Sequence, residues 1–497
     1  METHRRDIGI CGTFDVQNYG DLLFPLIAES ELRERLGDVA VRIFSYNTRT
    51  PPYWPYAVTS LTELPLFAPY LDGLLIGGGF IIRFDKSVAP GYFPPDPNIH
   101  HPTGYWLTPA LIALQHNIPV IWNAPGMHCN EIPPWANPLV EVALTLSSYI
   151  AVRDEPSRSA LQCLTSTPIA VVPDTAFGLS RLLNIEGEPS AEFTRLCVTS
   201  GLDRPYILIQ ATLGLDGFVQ FLKNNSERFR NFRFLALPIS PTMGERPEII
   251  DCDLPGLVRL DTWPEPLVIA ELIGRSEGVV GHSYHLCITA LVSGVPVFTR
   301  QNLTNGKYCV LQDFEKIFLL PPDGELDVNW FLARLGRNAP TASVVASRKL
   351  LSDHWDRIAA TFRAERPRTA PSMGRCWQSL PGSLECAAAR EQTIAAALAK
   401  ERVESHKHLE RAMAASSSEV VTQHRLDEAL AKLAASCQES AERQKRLDGL
   451  DKQLAAAQAE MGARNARIAE LTESYSWRLT ALLRALGRQR RRNGASN

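Results

Sequence analysis

The sequence predicts an α/β protein in which two Rossmann-like domains face a cleft and a C-terminal α-helical coiled coil follows them. Three observations predict it. From Asp7 onward, short apolar runs alternate with helical periods, the pattern of a parallel sheet covered on both faces. The alternation restarts after a Gly/Pro-containing break at 185–190. Beyond about residue 380, a chain rich in Trp, Phe, Tyr and Pro gives way to Ala, Glu, Lys, Arg, Gln and Leu.

The first domain, 1–184, carries apolar runs at 8–11, 39–44, 74–76, 120–122, 150–152 and 169–172, read as strands. A helix is expected from about Asp21, with Leu22, Leu23, Leu26 and Ile27 inward, and others at 107–115 and 155–163. The second domain, 185–365, repeats the scheme with strands at 206–210, 232–237, 258–260, 279–281 and 296–299. Its helices fit 218–228, 265–275 and 284–293, and a long helix over 342–364 closes it. Paired domains of this kind hold ligands in the crevice between them.

Residues 366–385 are rich in Pro, Ser and Gly and read as a linker. Over 386–472, Leu426, Leu433, Leu447, Leu454, Met461 and Ile468 recur on a seven-residue grid broken at Ser440. Leu430 and Cys437 form the companion seam early; Leu450, Ala457 and Leu471 form it later, with Arg464 interrupting, so a stutter near Ser440 is expected. Small and charged seam residues make this a weak coiled coil, and self-association through it is the expectation. A solvated single helix is the alternative.

Composition narrows the functional classes. The chain has 497 residues, 51 Lys+Arg, 54 Asp+Glu and a formal charge of −3, which removes the basic surface that general nucleic-acid binding needs. Hydrophobic content of 45% excludes a disordered chain. Ten scattered cysteines without a C-x-x-C pair read as thiols of a reducing compartment and give neither a disulfide framework nor a metal site. METHRRDIGI lacks the apolar core of a signal peptide, and no apolar stretch approaches a membrane span; a cytoplasmic location is expected.

The candidate chemistry lies in loops that follow strands. Gly12–Asp21 (GTFDVQNYGD) joins the first strand to the first helix, with Asp21 placed to cap it; Asn18 and Asp21 there either contact a ligand or organise the turn. Gly77, Gly78 and Gly79 follow the run at 74–76 and permit close approach to the backbone. Arg153 and Asp174 each follow a strand. Arg153 either grips a carboxylate or phosphate, or pairs with Asp154 or Asp174 to tie loops together. In GHSYHL, Ser283 is placed as an N-cap, and His282 and His285 share one turn at a helix start that attracts anions. His285 there suits general acid work, and Lys307 adds another cation after the next strand. Together these groups suit an anionic small molecule.

The stretches GTFDVQNYGD, LLIGGGF, AVRDEPSR, VPDTAF and GVVGHSYHLCITALVSGVPVF, in this order over most of 7–310, resemble the polysaccharide pyruvyl transferase family. The resemblance implies a GT-B-like pair of domains. It implies transfer of a pyruvyl group from phosphoenolpyruvate, as donor substrate and with no cofactor, to two hydroxyls of a sugar acceptor of a cell-surface polysaccharide. By motif, the resemblance carries over His285, Arg153, Asn18 and Asp21; joined to the reading of the strand-end loops, it makes His285, Arg153 and Asp174 the expected catalytic residues, and Asn18, Asp21, Gly78, Gly79, His282, Ser283 and Lys307 the expected substrate contacts. The family often carries Gly-x-Arg-x-His in the last of these stretches, and Ser283 stands at the arginine's place. Arg153, His282 or Lys307 then compensates, the donor differs, or catalysis is lost. A nucleotide-sugar glycosyltransferase and a degenerate scaffold of glycan assembly are the competing readings. Over 473–497, ESYSWRLTALLR is similar to tails on bacterial glycan-assembly glycosyltransferases. Its leucine face and arginines suit peripheral contact with the inner face of the membrane or docking to glycan-assembly enzymes.

Overall fold

The computed structural model describes residues 5–84, 102–128, 131–133, 135–251, 253–304, 306–322 and 325–364, then 385, 389, 392–407, 428–436, 438–446, 448–449 and 452. Two compact units divide the chain, 1–392 and 393–497.

The first half of the larger unit runs β1 (Arg6–Cys11), α1 (Tyr19–Leu36), β2 (Val39–Ser45), β3 (Val58–Ser60), α2 (Leu64–Phe67), β4 (Gly73–Ile76), α3 (Leu107–Gln115), β5 (Val120–Asn123), α4 (Asn137–Leu146), β6 (Tyr149–Val152), α5 (Glu155–Gln162) and β7 (Ile169–Val171). The seven strands are parallel in the order β3-β2-β1-β4-β5-β6-β7. β4 and β5 are buried along their whole length, which is why they read as unbroken apolar runs.

The second half runs α6 (Ala191–Ser200), β8 (Tyr206–Gln210), α7 (Asp216–Asn224), β9 (Arg233–Leu237), β10 (Leu257–Arg259), α8 (Pro266–Gly274), β11 (Gly278–Val280), α9 (Tyr284–Val292), β12 (Val297–Thr299), β13 (Ile317–Leu319), α10 (Val328–Leu332) and α11 (Ala342–Arg363). Its six strands, again parallel, are ordered β10-β9-β8-β11-β12-β13. The expected pair of Rossmann-like sheets is therefore present. In each sheet the order reverses beside the first strand, between β1 and β4 and between β8 and β11. Ligand crevices form outside the carboxyl ends of strands at such points.

One apolar cluster joins the halves: Tyr19, Leu23 and Ile27 of α1 share it with Phe177, with Leu291 of α9 and with Trp355 of α11. The long helix α11 starts where expected and then departs from its half. Its first turns bond the second half, through Ser343 Oγ to Asp313 O (3.2 Å) and Arg348 to Val292 O (2.8 Å). Its last turns bond the first half: Arg6 donates to Phe362 O (2.7 Å), Arg35 to Asp356 (2.7 Å), and His354 lies between Tyr149 and Asn123.

Other departures are local. Strands β3 and β13, three residues each, were not legible. Helix α1 begins at Tyr19, so Asn18 takes the N-cap position and Asp21 lies inside the first turn without capping. Of the described cysteines, Cys11 and Cys287 are buried and Cys163 is exposed. No described helix is long and apolar enough to cross a membrane.

In the smaller unit, residues 393–407, 428–436 and 438–446 are helical, with Leu430 and Leu433 exposed. The remaining seam residues of the expected coil, and the tail at 473–497, lie outside the described residues, as does most of the linker.

Candidate active site

A cleft of about 660 Å³ opens between the halves, at the carboxyl ends of both sheets. It is lined by Asn18 and Asp21 from α1 and its preceding loop, Arg153 after β6, His282 to His285 at the start of α9, and Lys307. Groups that lie more than 250 residues apart in sequence thus meet in one place.

The first-half loop is pinned by a residue the sequence did not single out. Asp15 Oδ1 accepts from Ser45 Oγ (2.6 Å), and Oδ2 accepts from the Asn47 backbone N–H (2.8 Å) and side chain (2.6 Å). Beyond it, Asn18 Oδ1 accepts from Ser240 Oγ of the second half (3.2 Å), and Tyr19 N donates to Ile239 O (2.9 Å). The loop therefore both lines the cleft and joins its walls.

Arg153 is nearly inaccessible, 3% exposed. Its NH1 donates to Asp174 Oδ2 (3.2 Å), and its Nε lies 3.6 Å from Asp154 Oδ2. The guanidinium stacks on Phe80 at 4.4 Å and Tyr284 at 5.1 Å. Its Nε and NH2 have no hydrogen-bond partner among the described residues. A buried guanidinium with donors to spare is costly, and an anion in the cleft would relieve that cost. The ion pairs considered for Arg153 do form, yet they leave part of the fork open.

Asp174 caps the turn Thr175–Arg181, accepting from Ala176 N (3.0 Å), and sits behind the cleft at 2% exposure. Burial pushes its carboxyl up, but His285, Arg153 and the Ala176 N–H outweigh that and hold it below the usual carboxylate value. His285 Nε2 lies 3.6 Å from Asp174 Oδ2, so carboxylate and imidazole face each other. The ring packs edge-on to Phe24, 5.2 Å between centroids. On its other side is Gly20, where an added Cβ would stand 1.8 Å from His285 Nδ1. The imidazole from the second half thus occupies space that the first half leaves empty.

The α9 start differs from expectation. Ser283 is at the N-cap position with extended backbone, but its side chain makes no capping bond. Gln210, at the end of β8, instead holds the backbone just ahead of the helix: its Oε1 accepts from His282 N (2.6 Å) and Ser283 N (2.8 Å). His282 lies with Nδ1 3.5 Å from Thr299 Oγ1, and burial together with Arg300 lowers its pKa. Tyr308 OH donates to His282 O (2.6 Å), and the Lys307 ammonium lies 5.3 Å from the Tyr308 ring and 5.9 Å from that of Tyr284. Burial, with Arg153 nearby, pushes Lys307 down to about 8 against the opposing pull of Asp21 and Asp174.

Gly78 and Gly79 take positive φ, 88° and 78°, a backbone path that favours glycine. What approaches them is α1: an added Cβ would stand 2.4 Å from Phe24 at Gly78 and 2.9 Å from Asp21 Oδ1 at Gly79. The glycines make room for side chains that line and support the cleft. Gln210, Glu245, Tyr284 and Tyr308 also line it and were not singled out from sequence. Gln210 was findable, because it ends a strand; Glu245 offered no local signal.

Fold and cleft define a two-domain α/β protein with a cationic crevice at the switch points of both sheets. The chain belongs to the polysaccharide pyruvyl transferase family, which it matches over residues 18–300. A search of curated proteins finds no match. Among solved structures, the chain is similar to the UDP-GlcNAc 2-epimerase from Methanocaldococcus jannaschii, with 12% identity, covering 72% of this chain and 98% of that one, at a TM-score of 0.44. The Neisseria meningitidis UDP-GlcNAc 2-epimerase bound to UDP-GlcNAc shows 13% identity, 76% and 99% coverage and a TM-score of 0.41. The E. coli ADP-heptose LPS heptosyltransferase II shows 11% identity, 72% and 100% coverage and a TM-score of 0.36.

Proposed function

We propose that this protein transfers the pyruvyl group of phosphoenolpyruvate to two hydroxyls of a cell-surface polysaccharide sugar, forming a cyclic ketal. The observation that carries the reading is the buried Arg153 fork with two open nitrogens, set beside Lys307, the start of α9 and His285. Phosphate and carboxylate are the charges such a cradle accommodates.

In this reading His285, held against Asp174, delivers a proton to the methylene carbon of the donor. The positive charge that develops at the adjoining carbon is met by one sugar hydroxyl, which loses its proton. Phosphate then leaves with its bridging oxygen, assisted by Arg153 and Lys307. The second hydroxyl closes the ketal and loses its own proton. One of the two hydroxyl protons replaces the proton spent on carbon and the other leaves with phosphate, so the step balances. Ser283 stands where the family often has arginine, and the positive charge on this side of the cleft comes from Lys307 and Arg153.

The test is phosphate release by the full-length chain given phosphoenolpyruvate and a lipid-linked or nucleotide-linked sugar. Release is expected, with His285→Ala lowering it by about 100-fold or more. Release that survives this substitution removes His285 from the mechanism. Thermal stabilisation by nucleotide sugars and none by phosphoenolpyruvate replaces the reading with a glycosyltransferase. Stabilisation by neither leaves a scaffold, for which the helical unit, as a self-associating element, and the basic tail, as a membrane or partner contact, would be the working parts.

A further inference from the structure

Gln210 is 2% exposed at the switch point of the second sheet. Beyond its two bonds from His282 N and Ser283 N, its Nε2 donates to Glu245 Oε1. The other oxygen, Glu245 Oε2, accepts from Ile239 N (2.6 Å) and Ser240 N (2.9 Å). Backbone donors on one side and a carboxylate on the other leave the Gln210 amide one orientation. The space is reserved for it: a Cβ on Gly281 would stand 2.7 Å from Gln210 Oε1.

The chain of bonds has a direction. Two N–H groups leading into α9 point to Gln210, Gln210 points to Glu245, and two N–H groups after β9 point back to Glu245. One amide and one carboxylate satisfy every atom, and the same two residues in exchanged places would also satisfy every atom. The two arrangements differ in where the negative charge sits. With the amide beside α9, the nine-residue helix keeps its electropositive start facing the cleft, where the 3%-exposed Arg153 has no hydrogen-bond partner for Nε or NH2 among the described residues. With the carboxylate there, an anionic ligand would meet a fixed negative charge.

We propose that Gln210 and Glu245 form a specificity-determining relay. A neutral acceptor anchors the start of α9, the charge sits one hydrogen bond further from that helix start, on Glu245 elsewhere on the cleft wall, and the anion position at α9 is thereby kept free of a fixed negative charge. The proposal rests on the pyruvyl-transfer reading only for the identity of that anion.

The experiment is a double-mutant cycle in the full-length chain, with Gln210→Glu, Glu245→Gln and the two combined. Melting is recorded with and without inorganic phosphate, then with phosphoenolpyruvate as competitor. Gln210→Glu sets two carboxylates against each other, and Glu245→Gln forces donor against donor, so each alone is expected to lower the melting temperature. The combined variant is expected to recover it while binding phosphate about tenfold more weakly or worse, from the charge brought to α9. Additive losses in the combined variant overturn the relay. Recovered melting with unchanged phosphate affinity, or no phosphate effect on the unsubstituted chain, overturns the selectivity. If the pattern holds with phosphate and phosphoenolpyruvate fails to compete, the donor reading falls and the relay stands.

Discussion

His285 owes its position to a residue that has no side chain. Because a Cβ at Gly20 would stand 1.8 Å from Nδ1, the imidazole and the first turn of α1 occupy complementary space. Gly20→Ala should therefore displace the ring from Asp174 while leaving the helix intact, since alanine is the better helix former. The expected result is a melting temperature lowered by the crowding against His285, and turnover of the folded protein lower by about 100-fold, the scale of a misplacement of about 1 Å. Full turnover in that variant would show that the ring does not need this seat. Asn18, Arg153, His285 and Lys307 were legible one at a time, because each follows a strand in an α/β pattern. The roles of Asp15 and Glu245 were not. Asp15 meets Ser45 and Asn47, 30 residues or more away in sequence, and Glu245 meets Gln210 on another strand end as well as the nearby N–H groups of Ile239 and Ser240, so the distant half of each role has no local signal.

At the scale of elements, α11 is the part that sequence periodicity placed only in part. Its amphipathic pattern gave its extent, yet its partner is chosen by polar groups buried beneath it. His354, 2% exposed, has Nε2 2.9 Å from Asn123 Oδ1 and Nδ1 3.0 Å from Tyr149 OH. Burial first, then Arg357 and Arg35, push its pKa down to about 3. A histidine lowered in this way contributes its full stability above its unfolded value of about 6.5 and loses it as pH falls from there toward 3. Between pH 7 and pH 5 the loss should come to about 2 kcal/mol, read from urea unfolding at the two values. His354→Phe, less stable at pH 7, should lack this slope; an equal slope in both proteins would assign the acid sensitivity to other groups. The edge strands β3 and β13 escaped notice although β7, β10, β11 and β12 are equally short and were read.

For the molecule as a whole, the small formal charge of −3 averages two different compact units. The candidate cleft lies in the larger one, and the smaller carries helical segments with exposed leucines. Removing 386–497 should leave turnover of a soluble acceptor within about twofold and convert an oligomer to a monomer, read by light scattering beside the phosphate assay. A truncated chain that stays oligomeric would place self-association in the α/β unit; one that loses turnover would make the helical unit part of the active assembly. The sequence by itself determined what is local: the strand–helix alternation, the restart near 185–190, and which polar residues stand at strand ends. Hydrophobic period and turn chemistry are written in neighbours, so they can be read in order. The tertiary structure decided that α11 returns to the first sheet, that Gly20 seats His285, that Arg153 keeps two nitrogens open beside its ion pairs, and that Gln210 instead of Ser283 holds the start of α9. Those outcomes depend on which buried donors meet which acceptors across the cleft, and that pairing exists only once both sheets have closed on a common core.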